Sequence, residues 1–130
     1  MSITNEVAKK VMENEERVKV FIEDLLTSAF EGGSNYWYTI EEHNLDEINE
    51  PIFLSGLLSL EGSKMLISDV ENTLGEGKWV HHVDVLKAWN TFSKCDKYRR
   101  HYEDVLDGND DATTGDVFLQ LVVFGKVIYG

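Results

Sequence analysis

Two imidazoles and a carboxylate lie close together at one place in the sequence, in the run Lys78-Trp79-Val80-His81-His82-Val83-Asp84. Histidine and aspartate bind zinc and act as acid–base catalysts, so this run is the candidate for a metal or hydrolase site. On a β-strand, however, His81 and His82 point to opposite faces, which leaves His82 and Asp84 as the usable pair. Asp84 is better explained as a helix cap. We therefore expect no catalytic residue and no metal site here.

A second acidic run, Asp107-Gly108-Asn109-Asp110-Asp111, places oxygen ligands at alternating positions, as a calcium site needs. A calcium loop of the helix–loop–helix type requires glycine at its sixth position and a bidentate glutamate at its twelfth. Counted from Asp107, those positions hold Ala112 and Phe118. A solvated turn between helices is favoured.

Glycines join aromatic residues in two signatures, Glu31-Gly32-Gly33-Ser34-Asn35-Tyr36-Trp37 and Phe124-Gly125-Lys126-Val127-Ile128-Tyr129-Gly130. The first lacks the lysine and the spacing of a phosphate-binding loop, and it follows a helix where that motif precedes one. We expect no bound cofactor. The combination of glycine with large rings suits a backbone packed closely against another element or a ligand. The rings could stack on a flat ligand in a cleft, but core packing of at least two of them is favoured.

The elements that position these residues begin with an amphipathic helix over residues 15–30, whose apolar side chains recur at helical spacing. We expect Gly32 to end it in a left-handed conformation, with Gly33 behind it. Residues 36–40 are aromatic and β-branched and predict a strand. Residues 41–50 predict an exposed acidic loop with one helical turn at most.

The middle of the chain predicts further strands. Residues 52–60 form an apolar run bounded by turn residues, and residues 64–70 form the returning strand of a hairpin. Residues 78–83 alternate in a way that predicts a fourth strand.

Helices are predicted for the last third of the chain. Asp84 and Asp96 are placed to cap two of them, and Thr113 with Asp116 three residues later resembles a capping box for a third. Residues 117–129 are apolar almost all round and predict a buried C-terminal helix. Gly125 would weaken such a helix unless another backbone packs against it, so we expect a close approach there.

These elements predict an α+β fold, in which a small, mainly antiparallel sheet of three or four strands packs with a long N-terminal helix and a buried C-terminal helix. At 130 residues and 42% hydrophobic composition, the chain is long enough for a real core, and we expect residues 1–130 to form one domain. Its apolar stretches are too short to span a bilayer, and a single cysteine, Cys95, fits a reducing compartment. We expect a cytoplasmic protein.

The formal charge of −12 is unevenly spread. Residues 21–63 hold nine acids and no lysine or arginine; the acids are Glu23, Asp24, Glu31, Glu41, Glu42, Asp46, Glu47, Glu50 and Glu61. Such a field repels nucleic acid and anionic membranes, so we expect neither as a direct partner. The same field attracts a basic protein, although acidic surfaces also serve simply to keep proteins soluble.

The two glycine–aromatic signatures resemble those of a family of small acidic proteins encoded by bacteriophages, prophages and other mobile elements. The resemblance rests on Ala29-Phe30-Glu31-Gly32-Gly33-Ser34-Asn35-Tyr36-Trp37 and on the ending with Gln120, Phe124, Gly125 and Tyr129-Gly130. The family has no established activity, so the resemblance implies no catalytic residues. It implies a small, non-secreted protein made inside an infected bacterium.

Two hypotheses for function follow. The first is a non-enzymatic accessory protein that occupies a basic surface of a host protein, either as an inhibitor or by imitating nucleic acid, through Glu41, Glu42, Asp46, Glu47 and Glu50. The second is a small-molecule binding protein or an enzyme whose pocket lies between the Gly32-Gly33 turn and the aromatic strand. Its candidate residues are Glu31, Gly32, Gly33, Asn35, Tyr36, Trp37 and Gly125. The sequence leaves the oligomeric state open.

Overall fold

The computed structural model describes the backbone of residues 2–130 and the side chains from Asn14 onward. It is an α+β fold with a three-stranded antiparallel sheet and four α-helices in this range, as the sequence predicts. The helices are α1 (Ser2–Ser28), α2 (His82–Lys94), α3 (Arg99–Asp107) and α4 (Ala112–Phe124), and the strands are β1 (Tyr38–His43), β2 (Lys64–Asp69) and β3 (Lys78–His81).

The first helix runs on past the predicted region and buries one apolar face. Ile22, Leu25 and Leu26 on that face are almost completely buried. The helix does not end in a left-handed glycine, since neither Gly32 nor Gly33 has a positive φ. Instead it widens into one π-helical turn, Ala29–Gly33, which closes when the Ser34 amide donates to the Ala29 carbonyl at 2.9 Å.

The strands are ordered β1-β2-β3, so β1 and β3 form the edges of the sheet. β1 starts two residues later than predicted and extends into the predicted acidic loop, with a bulge between Ile40 and Glu42. β2 lies as predicted, and its buried residues Met65 and Ile67 join the core. β3 ends at His81, because His82 already begins α2.

The prediction of a strand over residues 52–60 was wrong. Leu54–Ser59 form a 3₁₀ helix, whose turns are closed by the bonds of the Gly56 amide to the Phe53 carbonyl and of the Leu60 amide to the Leu57 carbonyl. Leu57 and Leu58 are fully buried in the core cluster, and the segment packs on α1. A segment buried on most sides needs an apolar composition whether it is strand or helix, so the composition did not distinguish them.

The predicted helix caps need correction in two places. α4 begins at Asp111, whose carboxylate accepts the Thr114 amide at 3.0 Å, and Thr113 is not its cap. Asp96 does not cap α3, because it precedes a 3₁₀ turn and pairs with Arg99 at 2.6 Å. Asp84 lies in the first turn of α2 and accepts the His81 amide at 2.8 Å, consistent with its predicted role at that helix start.

Helix α4 lies at the centre of the molecule, against α1, α2 and the π-helical turn. Gly115 permits this packing, because a Cβ there would lie 3.0 Å from the Leu25 carbonyl oxygen on α1. The helix stops at Phe124, five residues before the predicted end. Gly125 adopts a left-handed φ of 75° with open space around it, so the predicted close approach at Gly125 was wrong. Glycine is suited to this position because it ends the helix.

Candidate functional site

One carboxylate joins the two glycine–aromatic signatures. Asp116 on α4 is 8% exposed and accepts four hydrogen bonds. The donors are the Ser34 hydroxyl at 2.7 Å, the Tyr36 hydroxyl at 2.6 Å, the Trp37 indole at 2.8 Å and the Gln120 amide at 3.2 Å. We call Asp116 and these four donors the Asp116 cluster.

Gln120 ties the end of the chain to this cluster. Its side chain is fully buried, and its amide oxygen accepts the backbone amides of Ile128 and Tyr129, each at 2.8 Å. Its amide nitrogen also donates to the Tyr129 carbonyl at 3.2 Å. The Tyr129 hydroxyl in turn donates to Asp69 on β2 at 2.6 Å. The last residues therefore fold back over α4 and reach the sheet.

Burial and hydrogen bonding shift the pKa values of three groups at this site. Burial, together with the hydrogen bond to Asp116, raises the pKa of Tyr36 to about 12. Burial and the hydrogen bond to Asp69 raise the pKa of Tyr129 as well. Burial alone would raise the pKa of Asp69, but hydrogen bonds from the Tyr129 hydroxyl and the Leu74 amide outweigh it, so the pKa of Asp69 lies below its ordinary value.

The first signature is explained by packing around this cluster. A Cβ on Gly33 would lie 2.2 Å from the Ala112 carbonyl oxygen, so the turn meets the start of α4 at a point where only glycine fits. Trp37 is 1% exposed and stacks on Tyr129, with ring centroids 5.7 Å apart. Tyr36 remains 51% exposed although its hydroxyl is bonded. Since the donors of the signature are used within the protein, they are not available to a ligand.

Sequence reasoning missed the role of two residues in the Asp116 cluster. The sequence pattern suggests a capping box for Asp116, and Gln120 enters only through the family resemblance. A signal was present, because they are polar residues four positions apart in an otherwise apolar stretch of helix and therefore share one helix face.

An open groove of about 580 Å³ lies on the other side of the π-helical turn. Its lining includes Phe30, Glu31, Tyr38, Ile40, Phe53 and Leu54. Ser55 also lines it, and its hydroxyl donates to the Glu31 carboxylate at 2.9 Å. Phe53 is 86% exposed, the largest exposure among the large apolar side chains described. We call this the β1 groove.

The five acids predicted to form an interaction surface lie on β1 and the segment that follows it. Glu41 and Glu42 belong to the edge strand, Asp46 and Glu47 to a 3₁₀ turn, and Glu50 precedes Pro51. All five are exposed. We call these five residues the acidic face. Of the other candidates in the first signature, Glu31, Gly32 and Asn35 are exposed on the turn.

The two adjacent histidines are separated by the end of β3. His81 is exposed, and His82 bonds through Nδ1 to the Leu58 carbonyl at 2.8 Å. His82 lines a cleft of about 570 Å³ together with Glu61 and Leu86. Within the part of the chain whose side chains are described, no three histidine, cysteine, aspartate or glutamate side chains lie close enough to hold a metal ion.

Over the described residues, no helix combines the length and the apolarity that crossing a bilayer requires. The chain matches no known family model, no curated protein and no solved structure. Its function therefore has to be inferred from these features of the molecule.

Proposed function

We propose that the protein is a non-enzymatic accessory protein of a phage or mobile element that acts in the bacterial cytoplasm by occupying a basic surface of a host protein with its acidic face. One observation carries this proposal. All nine carboxylates of residues 21–63 are exposed, and none of them pairs with a lysine or arginine among the described side chains.

Exposed, unpaired carboxylates are suited to such a role. Complementary charge accelerates encounter with a partner of opposite sign and excludes partners of the same sign. A net charge of −12 disfavours direct contact with nucleic acid and anionic lipid. A nucleic-acid duplex presents about one negative charge per 1.7 Å of its axis, so a protein site built for such a duplex would also attract a dense row of carboxylates.

Two competing explanations make different demands. If the charge only maintains solubility, or only protects the β1 edge from pairing with other chains, its position on the surface matters little for binding. The alternative function, a small-molecule binding protein or an enzyme near the Gly32-Gly33 turn, would use the β1 groove. One acid, Glu31, is among the residues that line the groove, and this does not supply the paired groups of an acid–base mechanism.

The experiment compares the parent with two charge-matched variants. One carries Glu41→Gln, Glu42→Gln, Asp46→Asn and Glu47→Gln. The other neutralises four exposed acids elsewhere, through Glu71→Gln, Glu76→Gln, Glu103→Gln and Asp107→Asn. Each protein is immobilised and exposed to lysate of a bacterial host, and retained proteins are identified by mass spectrometry and purified.

We expect the parent and the second variant to retain the same basic protein, and the first variant to lose it. With the purified partner, association should slow as salt reduces the screening length from about 10 Å at 0.1 M to about 3 Å at 1 M. A partner whose affinity ignores both the salt and the four acidic-face substitutions would refute the proposal and leave solubility as the role of the charge.

A further inference from the structure

We propose that the β1 groove receives one apolar side chain from a basic peptide segment of the partner, so that the partner's recognition element is a short cationic stretch with a single aliphatic or aromatic anchor. This inference rests on the proposed function and specifies the chemistry of its partner. It joins two features that lie side by side, an apolar groove and an acidic border.

The floor and walls of the groove are apolar. Phe30, Tyr38 and Ile40 are packed against the core from one side, and Phe53 stands 86% exposed at the other. Exposing so much of a phenylalanine ring to water is unfavourable, and an anchor placed beside it would remove apolar area from both partners. Its volume of about 580 Å³ is within the range of sites that hold compact apolar groups.

The border of the groove carries negative charge. Glu31 lines it, and Glu41 directly follows the lining residue Ile40. On α1, Glu23 lies beside Gly56 at the end of the segment that includes Phe53. No lysine or arginine occurs anywhere between residues 21 and 63 to offset these charges. A segment that docks here must therefore present cations around its anchor.

Charge complementarity distinguishes this occupant from two others. A second copy of the chain carries the same charge of −12 and would be repelled from the acidic border. A neutral small molecule would fill the groove without using the border. A cationic segment with one apolar residue uses both features, which is the arrangement of an interface with a central apolar anchor and a polar rim.

The test uses two synthetic pentapeptides with blocked ends, Arg-Lys-Phe-Lys-Arg and Arg-Lys-Ser-Lys-Arg. Each is titrated into the isotope-labelled full chain at low salt, and backbone amide shifts are followed by NMR. We expect the phenylalanine peptide to bind about tenfold more tightly, as loss of a buried anchor implies. Its shifts should include the amides of Ile40, Phe53 and Ser55, whereas those of the serine peptide should be confined to the acidic face.

Two variants give matched controls. Phe53→Ser should reduce the affinity for the phenylalanine peptide to that for the serine peptide. Val70→Ser, which removes another exposed apolar side chain away from the groove, should leave the difference intact. The comparison of the two peptides on the parent chain does not depend on either variant, so it remains decisive if a variant fails to fold.

The outcomes separate this inference from the proposed function. Equal affinities for the two peptides that both fall on neutralising the acidic face would overturn the groove inference and leave the proposed function standing. Affinities that ignore the acidic-face substitutions would count against both. Binding of N-acetyl-phenylalaninamide as tight as that of the phenylalanine peptide would instead assign the groove to small molecules and overturn the inference.

Discussion

At the scale of single residues, Asp116 is a carboxylate without a cationic partner among the described side chains, held by four neutral donors. Removing its charge while keeping its shape turns an acceptor toward a donor, since an asparagine amide presents NH₂ where an oxygen stood. We expect Asp116→Asn to lower the free energy of unfolding by about 1 to 3 kcal/mol, the cost of leaving buried donors unsatisfied. Urea denaturation measures it.

The matched control is Asp107→Asn, which makes the same chemical change at an exposed position. It should change stability by no more than about 0.5 kcal/mol, as surface substitutions usually do. Equal effects of the two substitutions would mean that the donors around Asp116 find other partners, in which case this carboxylate does not hold the two signatures together.

Tyr36 gives a pH-dependent prediction at the same scale. Its pKa is raised from 10.0 to about 12, so the folded state favours the protonated hydroxyl. The stability that this group contributes is fully present below about pH 10 and is lost as the pH rises toward about 12. Tyr36→Phe should remove this part of the alkaline loss, and urea denaturation at about pH 8 and about pH 11 measures the difference.

Tyr38 and Tyr129, whose pKa values are also raised, should keep part of the alkaline loss in the variant. Tyr102→Phe serves as control, because its hydroxyl does not bond to Asp116. If the alkaline slopes of the parent and Tyr36→Phe coincide, the hydroxyl of Tyr36 is not bonded to Asp116 in solution.

At the scale of elements, the π-helical turn meets the start of α4 through Gly33. Gly33→Ala would place a Cβ 2.2 Å from the Ala112 carbonyl oxygen and force the two elements apart. We expect a loss of about 1 to 3 kcal/mol, which is typical of overpacking. At the neighbouring Gly32 an added Cβ would meet nothing within 4 Å, and φ is not positive, so Gly32→Ala should be neutral or slightly stabilising.

Thermal denaturation of the two alanine variants side by side checks this contrast between adjacent glycines. If Gly32→Ala proves the more damaging, the turn and α4 do not meet at Gly33.

The sequence was informative about elements whose pattern is local. Apolar spacing predicted α1, and β-branched residues bounded by turns predicted β2. Residues 52–60 failed because a short apolar run is compatible with strand or helix once it is buried. Gly125 was misinterpreted because apolar residues continue beyond it, which made a helix end resemble a helix interior.

The Asp116 cluster could be predicted only in part. Glycine next to large rings did indicate close packing, which occurs at Gly33 and Trp37. The partner of that packing could not be found, because Ser34 and Asp116 are 82 residues apart and nothing in their local sequences pairs them. The acidic face and the β1 groove likewise become neighbours only in the folded chain.

At the scale of the whole molecule, 24 acids face 12 lysines and arginines, and like charges repel one another in the compact state. We expect sodium chloride, raised from about 0.02 M to about 0.5 M, to screen this repulsion. Stability should then increase by on the order of 1 kcal/mol, a rise in Tm of about 3 °C measured by calorimetry.

The same salt should weaken binding to a basic partner, so the two measurements should move in opposite directions. The variant with four neutralised residues in the acidic face should gain less stability from salt than the parent. A Tm that falls with sodium chloride would show instead that attraction between opposite charges dominates in the folded protein.

The distance along the chain between the members of the Asp116 cluster has a kinetic consequence. Ser34 and Asp116 are 82 residues apart, and Tyr129 reaches Asp69 across 60 residues. Closing loops of this length costs entropy before any bond forms, so local helices and the β1–β2 pairing precede these contacts on the folding pathway. Interactions that form after the folding barrier slow unfolding and leave the folding rate nearly unchanged. The Asp116 carboxylate thus governs mainly how long the folded chain persists.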